Sequence, residues 1–275
     1  MSLATLKQVL QPALKDGYAV AGLVTLGWED MRAYVAAAEA LKAPLILQAG
    51  PGCRAHTPLP ILGKMFRHLA DQASVPVVAH LDHGYTREEC EIALDCGFSS
   101  VMFDGSSMPL NQNIEETAAI AELAHGAGMS CEGEIGFVGY TEGASSQVTD
   151  PEDAAKFATE TDVDAMAISV GNVHLQSEAS GELDEARIRE IERVTEVPLV
   201  IHGGSGVSLE QRRYLATQTN ICKFNIGTEL RKVFGSALRH LLEADEDLFD
   251  RVEILKQTHD PVMEAAKAAI TSMRT

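Results

Sequence analysis

Short apolar, β-branched runs alternate along the chain with longer stretches whose apolar positions recur at helical spacing. The runs begin near Tyr18 (YAVAGLV), Pro44 (PLILQA), Pro76 (PVVAHLDH), Ser100 (SVMFD), Met129 (MSCEGEIG), Ala165 (AMAISV), Leu199 (LVIHGGSG) and Ile221 (ICKFNIG). Their starts lie roughly 30 residues apart, the length one strand–helix unit requires. Helical patterns fill the gaps at 28–42, 56–72, 87–96, 113–125, 151–160, 184–195, 209–217 and 229–242. Asp150-Pro151 reads as a helix start, and Gly97 and Gly126 read as helix ends. PVVAHL and AMAISV are apolar without alternation, as strands buried on both faces of a parallel sheet are. Eight such units predict a (β/α)8 TIM barrel with additional terminal helices, a single domain over residues 1–275. A doubly wound open sheet is the structural rival. The turn after its first strand would be glycine-rich, and Thr25-Leu26-Gly27-Trp28 is not.

Composition narrows the function. The chain has 275 residues, of which 45% are hydrophobic and 23% charged, the usage of a packed globular protein. Its 22 Lys and Arg against 40 Asp and Glu leave a net charge of −18. A chain this acidic is unsuited to nucleic acid or to an anionic membrane surface. A phosphorylated ligand must be attracted locally, against the global field. Aromatic residues are 5%, too sparse for a stacking platform. The five cysteines form no C-x-x-C and no even framework, which suggests a reducing compartment and buried thiols. No apolar run approaches ~18 residues, so no membrane span is expected. The opening MSLATLKQVLQPALK reads as an amphipathic helix, not as a secretion signal, and a cytoplasmic location is expected. The stretch from Asp247 to Ala269 is amphipathic and suits the barrel wall and a subunit interface equally.

The polar residues fall where such a barrel carries its chemistry, at the carboxyl ends of the strands. The third strand ends in His80-Leu81-Asp82-His83-Gly84 and the fourth in Asp104-Gly105-Ser106. The fifth carries Glu132 and Glu134. The sixth ends in Gly171-Asn172-Val173-His174 and the seventh in His202-Gly203-Gly204-Ser205-Gly206. The eighth ends in Asn225-Ile226-Gly227-Thr228. His83, His174 and His202 form a trio suited to catalytic zinc, which takes three protein ligands and keeps one position open. Strand alternation points His80 away from His83, so His80 is expected to be structural or to support a ligand. Asp82, beside a metal ligand, can move a proton next to a metal-polarised carbonyl. Its bland alternative is a turn carboxylate capping the helix near Arg87. The glycine-rich turns after the last two strands stand where barrels build phosphate sites. A polarised carbonyl beside a phosphate pocket suggests a phosphorylated ketose.

The ordered set HLDHG, VMFDGSSMPLNQNI, EGEIG, SVGNVH, IHGGSG and CKFNIGTEL resembles the class II, zinc-dependent ketose-bisphosphate aldolases, the fructose- and tagatose-bisphosphate enzymes. The resemblance runs from about Leu6 to beyond Leu230. It implies reversible cleavage of a phosphorylated ketose to dihydroxyacetone phosphate and an aldehyde through a metal-bound enediolate. It makes Asp82 the general acid/base and His83, His174 and His202 the zinc ligands. Asp104 and Glu134 match an alternative metal position. Gly171, Gly203, Gly204, Ser205, Asn225, Ile226, Gly227 and Thr228 match substrate- and phosphate-binding positions. Glu142, on a short loop after the fifth strand, aligns loosely with a proton donor. A monovalent cation (Na+ or K+) and a homodimer or homotetramer also go with the family.

Three positions depart from the family pattern. Val24 stands where an Asn touches substrate. Leu175-Gln176-Ser177-Glu178 replaces a Gly followed soon by a Tyr and a Lys. Ser107 stands where a His is common. The first two changes leave the metal chemistry intact and point to a different or smaller ketose phosphate, such as a monophosphate. Four alternatives stay open: Schiff-base chemistry on Lys223, a metal-dependent hydrolase (without the usual H-x-H on its first strand), a phosphosugar epimerase or isomerase, and a non-catalytic sugar-phosphate binder.

Overall fold

Each of the eight apolar runs is a strand, and each is followed by helix. A computed structural model describes residues 2–139, 145–175 and 182–274. The elements in order are β1 (Leu3–Ala4), α1 (Leu6–Asp16), β2 (Val20–Val24), α2 (Trp28–Leu41), β3 (Leu45–Ala49), α3 (Pro51–His56), α4 (Leu59–Gln72), β4 (Val77–Gly84), α5 (Arg87–Asp95), β5 (Ser100–Phe103) and α6 (Leu110–Gly126). They continue with β6 (Ser130–Ile135), α7 (Pro151–Thr161), β7 (Ala165–Ile168), α8 (Glu185–Glu192), β8 (Leu199–Ile201), a 3-10 turn (Gly204–Gly206), α9 (Leu209–Gln218), β9 (Ile221–Ile226), α10 (Thr228–Ala244), α11 (Arg251–Gln257) and α12 (His259–Thr271).

Strands β2 to β9 lie side by side, and the β4–β5 pairing closes the ring into a TIM barrel. Every ladder is parallel. β1 is a ninth strand, paired with β4 through Leu3 and Val77.

Alternation divides each strand between two apolar regions. On β4, Val77, Ala79 and Leu81 pack outward with the helices. Val78 points inward and joins Val20, Ile46, Ala167 and Val200. That inner layer is covered by Leu6, Val9, Leu10 and Ala13 of α1. The predicted amphipathic first helix therefore plugs the amino-terminal end of the barrel and leaves the other end open. At the chain's far end, α12 packs against α2 through a face that includes Val262, Ala266 and Ile270, so its apolar stripe serves the barrel wall.

Asp150 caps α7, accepting from Glu152 N at 2.8 Å. Two expectations are corrected. The helix expected over 56–72 begins only at Leu59: His56 ends the separate α3, and Thr57, before Pro58, takes an extended φ of −124° that divides the two. Gly126 is still helical, and Gly128 takes the left-handed φ of 73° after α6. No described helix is long and apolar enough to cross a membrane.

Candidate active site

The site begins with an irregularity in β4. Leu81 pairs with Val101 and Gly84 with Phe103, so β4 carries one residue more than β5 between the two pairings. The bulge places His83 at a φ of 54°, in the left-handed region. Bulges re-aim side chains. Asp82 and His83 consequently both face the cavity at the open end of the barrel. A left-handed non-glycine residue costs roughly 1–2 kcal/mol. Arg54 of α3 holds the backbone there: Nη1 donates to the Asp82 carbonyl at 2.8 Å and Nη2 to that of His83. Its Nε pairs with Glu89 at 3.1 Å. No motif singled out Arg54 in the sequence. Alternation holds through His80, which faces the interior like Val78; it fails at the bulge beyond Leu81, where His83 turns to the interior as well instead of the opposite face. His80 is fully buried beneath His83, with Nδ1 2.9 Å from Ser100 Oγ. The cap of α5 is Thr86, which accepts from Glu89 N, and Asp82 is free for other work.

His83, His174 and His202 come from the ends of β4, β7 and β8 and meet there. Each offers a nitrogen within 4.8 Å of the other two. The ring centroids lie 5.2 Å (His83–His174), 4.6 Å (His83–His202) and 5.7 Å (His174–His202) apart. Asp104 Oδ2 lies 2.7 Å from His83 Nδ1, and Glu134 Oε2 lies 3.3 Å from His202 Nδ1. Asp104 and Glu134 also form a second possible ligand group with His83.

Beneath them is a buried ionic layer. Glu132 accepts from Lys223 Nζ at 2.6 Å and from His202 Nε2 at 3.1 Å. All three side chains are fully buried. This contact makes Nε2 the protonated nitrogen of His202 and leaves the Nδ1 lone pair facing the site.

The electrostatics follow from this crowding. Burial alone would lower His83, but Asp82, the Asp104 hydrogen bond and Glu134 outweigh it and raise its pKa to about 9. Burial and the neighbouring Asp104 charge push Glu134 up to about 8. Burial and the nearby His83 cation bring His174 down to about 4 and hold His202 well below 6.5. For Asp104, burial is outweighed by His83 and Ser106, which hold the carboxyl well below its usual range.

Two orphaned atoms test whether a metal fits. His202 Nδ1 and Glu134 Oε2 are buried and have no hydrogen-bond partner among the described residues. With Glu134 ionised, both are acceptors facing each other at 3.3 Å, and a buried acceptor without a donor is costly. A cation beside them removes the deficit. Three imidazoles with carboxylates behind them are a zinc-type donor set. The residues therefore fit a divalent ion.

The mouth is a cavity of about 290 Å³. Asp82, His83, His174, Asn225, Gly203, Ser205, Gly227 and Thr228 are among the residues that line it. Gly203 has a φ of 66°, and a Cβ there would come within 2.2 Å of the Val173 carbonyl oxygen, so only glycine fits. Ser205 Oγ accepts from Gly227 N at 3.3 Å and so ties the two glycine turns together. Gly171, Gly204 and Ile226 lie outside the described lining, and the Ile226 side chain is buried in the apolar core. Glu142 lies outside the described residues. Arg231, which sequence reasoning missed, lines the cavity beside Thr228.

The sequence model of fructose-bisphosphate aldolase class-II matches residues 4–275. The chain belongs to this family. It is 34% identical over 270 residues to the fructose-bisphosphate aldolase of Geobacillus stearothermophilus, covering 95% of this chain and 93% of that protein. It is 35% identical over 265 residues to the 6-phospho-5-dehydro-2-deoxy-D-gluconate aldolase of Shouchella clausii, covering 94% and 89%. Among solved structures, the YdjI aldolase of Escherichia coli K12 superposes with a TM-score of 0.85 at 28% identity, covering 98% of this chain and 97% of that one.

This class II aldolase is thus a lyase, and its departures can be placed. Val24 and Leu175 both line the cavity. Leu175 holds a φ of 61°, the conformation suited to the Gly that the family pattern has there. Lys223 is unsuited to Schiff-base chemistry. Its ammonium is buried against Glu132, and it does not line the cavity.

Proposed function

We propose that this aldolase reversibly cleaves a phosphorylated ketose to dihydroxyacetone phosphate and an aldehyde, with zinc held by His83, His174 and His202. The carrying observation is that their nitrogens converge within 4.8 Å beside Asp82 and beside the glycine turns of one cavity. A divalent ion bound there supplies Lewis-acid polarisation of the substrate carbonyl. Asp82 takes the proton of the hydroxyl on the carbon that leaves as the aldehyde, and returns it in condensation. Asn225 Nδ2 donates to Asp82 Oδ1 at 3.1 Å and fixes the carboxylate's direction. Asp104 orients the His83 ring and Glu132 the His202 ring. The turns at Gly203 to Ser205 and Gly227 to Thr228 take the phosphate, with a sodium or potassium ion beside it. Glu142 is the proposed donor of the proton that completes the triose.

Val24 and Leu175 favour a substrate other than the hexulose bisphosphates: a ketose monophosphate, or a keto-acid phosphate such as the one named for the Shouchella clausii relative. The test is a panel of these substrates in a coupled assay for triose phosphate, with zinc and with chelator. Release abolished by chelator is expected. Release that survives chelation, or none from any member of the panel, overturns the proposal. Isomerised sugar without triose would support the epimerase reading instead.

A further inference from the structure

Most polar groups of the cavity already have a task. His83 and His174 belong to the metal set, Asp82 and Asn225 to proton transfer, and Ser205 and Thr228 to the phosphate turns. Apart from Arg231, the rest of the lining among the described residues is apolar or glycine, with side chains from Val24, Leu26, Pro51, Cys53 and Leu175. Cys53 is buried, and a buried thiol packs as a small apolar group. Arg231 lies at the phosphate end, since a Cβ on Gly227 would come 3.0 Å from its Nη2. Residues 140–144 (YTEGA) and 176–181 (QSEASG), outside the described residues, hold no Lys or Arg. The chain therefore supplies no second cation for an anionic group at the far end of the substrate.

Val24 fixes where the apolar wall begins. A Cβ on Gly50 would lie 3.3 Å from Asp82 Oδ2 and 3.8 Å from Val24 Cγ1. The valine methyl and the bare Gly50 backbone thus flank the carboxylate oxygen that Asn225 leaves free. Asp82 exchanges its proton with the hydroxyl of the carbon that becomes the aldehyde, so the aldehyde half lies against this wall. Leu26 and Leu175 stand at the rim, 42% and 52% exposed. Leu175 also holds a left-handed φ of 61°, a conformation strained for any residue with a branched side chain. A strained leucine half open to solvent adds little to the core, and its apolar surface is free to meet a ligand.

We infer that Val24, Leu26, Cys53 and Leu175 form the aldehyde subsite, and that it takes a short, uncharged aldehyde with an apolar end. The ketose is then a 1-phosphate whose far end carries neither phosphate nor carboxylate. The inference rests on the phosphorylated-ketose reading above and selects the monophosphate of its two substrate classes. In cleavage the carbon–carbon bond breaks and the hydroxyl proton passes to Asp82. The electron pair stays with the dihydroxyacetone phosphate carbon, which takes up a proton. Addition reverses each step. None of these steps involves the far end of the aldehyde, so the wall governs selection alone.

The test runs condensation, with zinc-loaded enzyme, dihydroxyacetone phosphate and one aldehyde at a time. Lactaldehyde and glyceraldehyde differ only by a terminal hydroxyl, whereas glyceraldehyde 3-phosphate and malonate semialdehyde bring an anion. Lactaldehyde should exceed glyceraldehyde by roughly 10- to 100-fold in kcat/KM. It should exceed either anion by roughly 100- to 1000-fold, because an unpaired charge is costly against an apolar wall. Val24→Asn should narrow the first ratio, and Leu175→Gly should lower kcat/KM for lactaldehyde, with zinc content and thermal midpoint as the folding control. An equal or higher kcat/KM for any of the other three aldehydes overturns the inference and leaves the aldolase reading standing. Ratios that neither variant moves overturn it as well. If none of the four is condensed and no ketose phosphate is cleaved, the functional reading falls with it.

Discussion

Asn225 and Asp82, 143 residues apart in the chain, are joined by a 3.1 Å hydrogen bond across the barrel mouth. The amide Nδ2 donates to Oδ1, which leaves the other carboxylate oxygen over Gly50. Asn225→Leu frees the carboxylate to turn, and misplacement of a proton-transfer group costs roughly 10- to 100-fold in kcat. Asp82→Ala should lose more, roughly 10²- to 10⁴-fold, while keeping its zinc. Steady-state kinetics with metal analysis on both variants decides this. Wild-type turnover in Asp82→Ala would remove it from the mechanism.

Glu132 governs the metal from below, through His202 Nε2. Glu132→Gln weakens a partner that fixes a ligand's tautomer, so zinc affinity should fall by roughly 10- to 100-fold in a chelator competition. Lys223→Met leaves the Glu132 carboxylate buried without its cation, a loss of about 3–5 kcal/mol in urea unfolding. The double variant should lose less than the sum of the two. Borohydride with substrate should leave no adduct on Lys223.

The raised pKa values of His83 (about 9) and Glu134 (about 8) set a pH window for the metal-free protein. A group raised on folding contributes stability in full below its unfolded pKa and loses it as pH rises through the folded one. For His83 the loss spans about 6.5 to 9, and Glu134 acts in the same direction. His80, His174 and His202 are lowered and act below 6.5. Chelated protein should therefore melt at lower temperature at pH 9 than at pH 6.5. Zinc uptake at pH 7 should release protons, seen as a dependence of binding heat on buffer ionisation enthalpy. Uptake with no proton release would show that His83 is neutral beforehand.

Leu175 is half exposed and left-handed, with 52% of its surface open and a φ of 61°. Relief of about 1–2 kcal/mol of strain in Leu175→Gly exceeds the roughly 0.5–1 kcal/mol of added chain entropy. The variant should be as stable as wild type or up to about 1 kcal/mol more so by urea unfolding. A clear loss would mean that the leucine side chain packs against something it protects.

Much of this protein was legible in one dimension. Eight apolar runs with helices between them determine the barrel, because a strand buried on both faces can tolerate little else than apolar residues. The same order places His83, His174 and His202 at strand ends, and the glycines at the last two turns. Alternation, however, is a rule for regular strands, and it wrongly set His83 on the opposite face from His80. One extra residue in β4, pinned by Arg54, turns Asp82 and His83 to the same cavity, and no local pattern announces it. The hydrogen bond from Asn225 to Asp82 and the Lys223–Glu132–His202 chain each join residues from separate strands or strand ends. Such contacts exist only once the ring is closed, so the tertiary structure alone decided which charges are paired and which remain for a ligand.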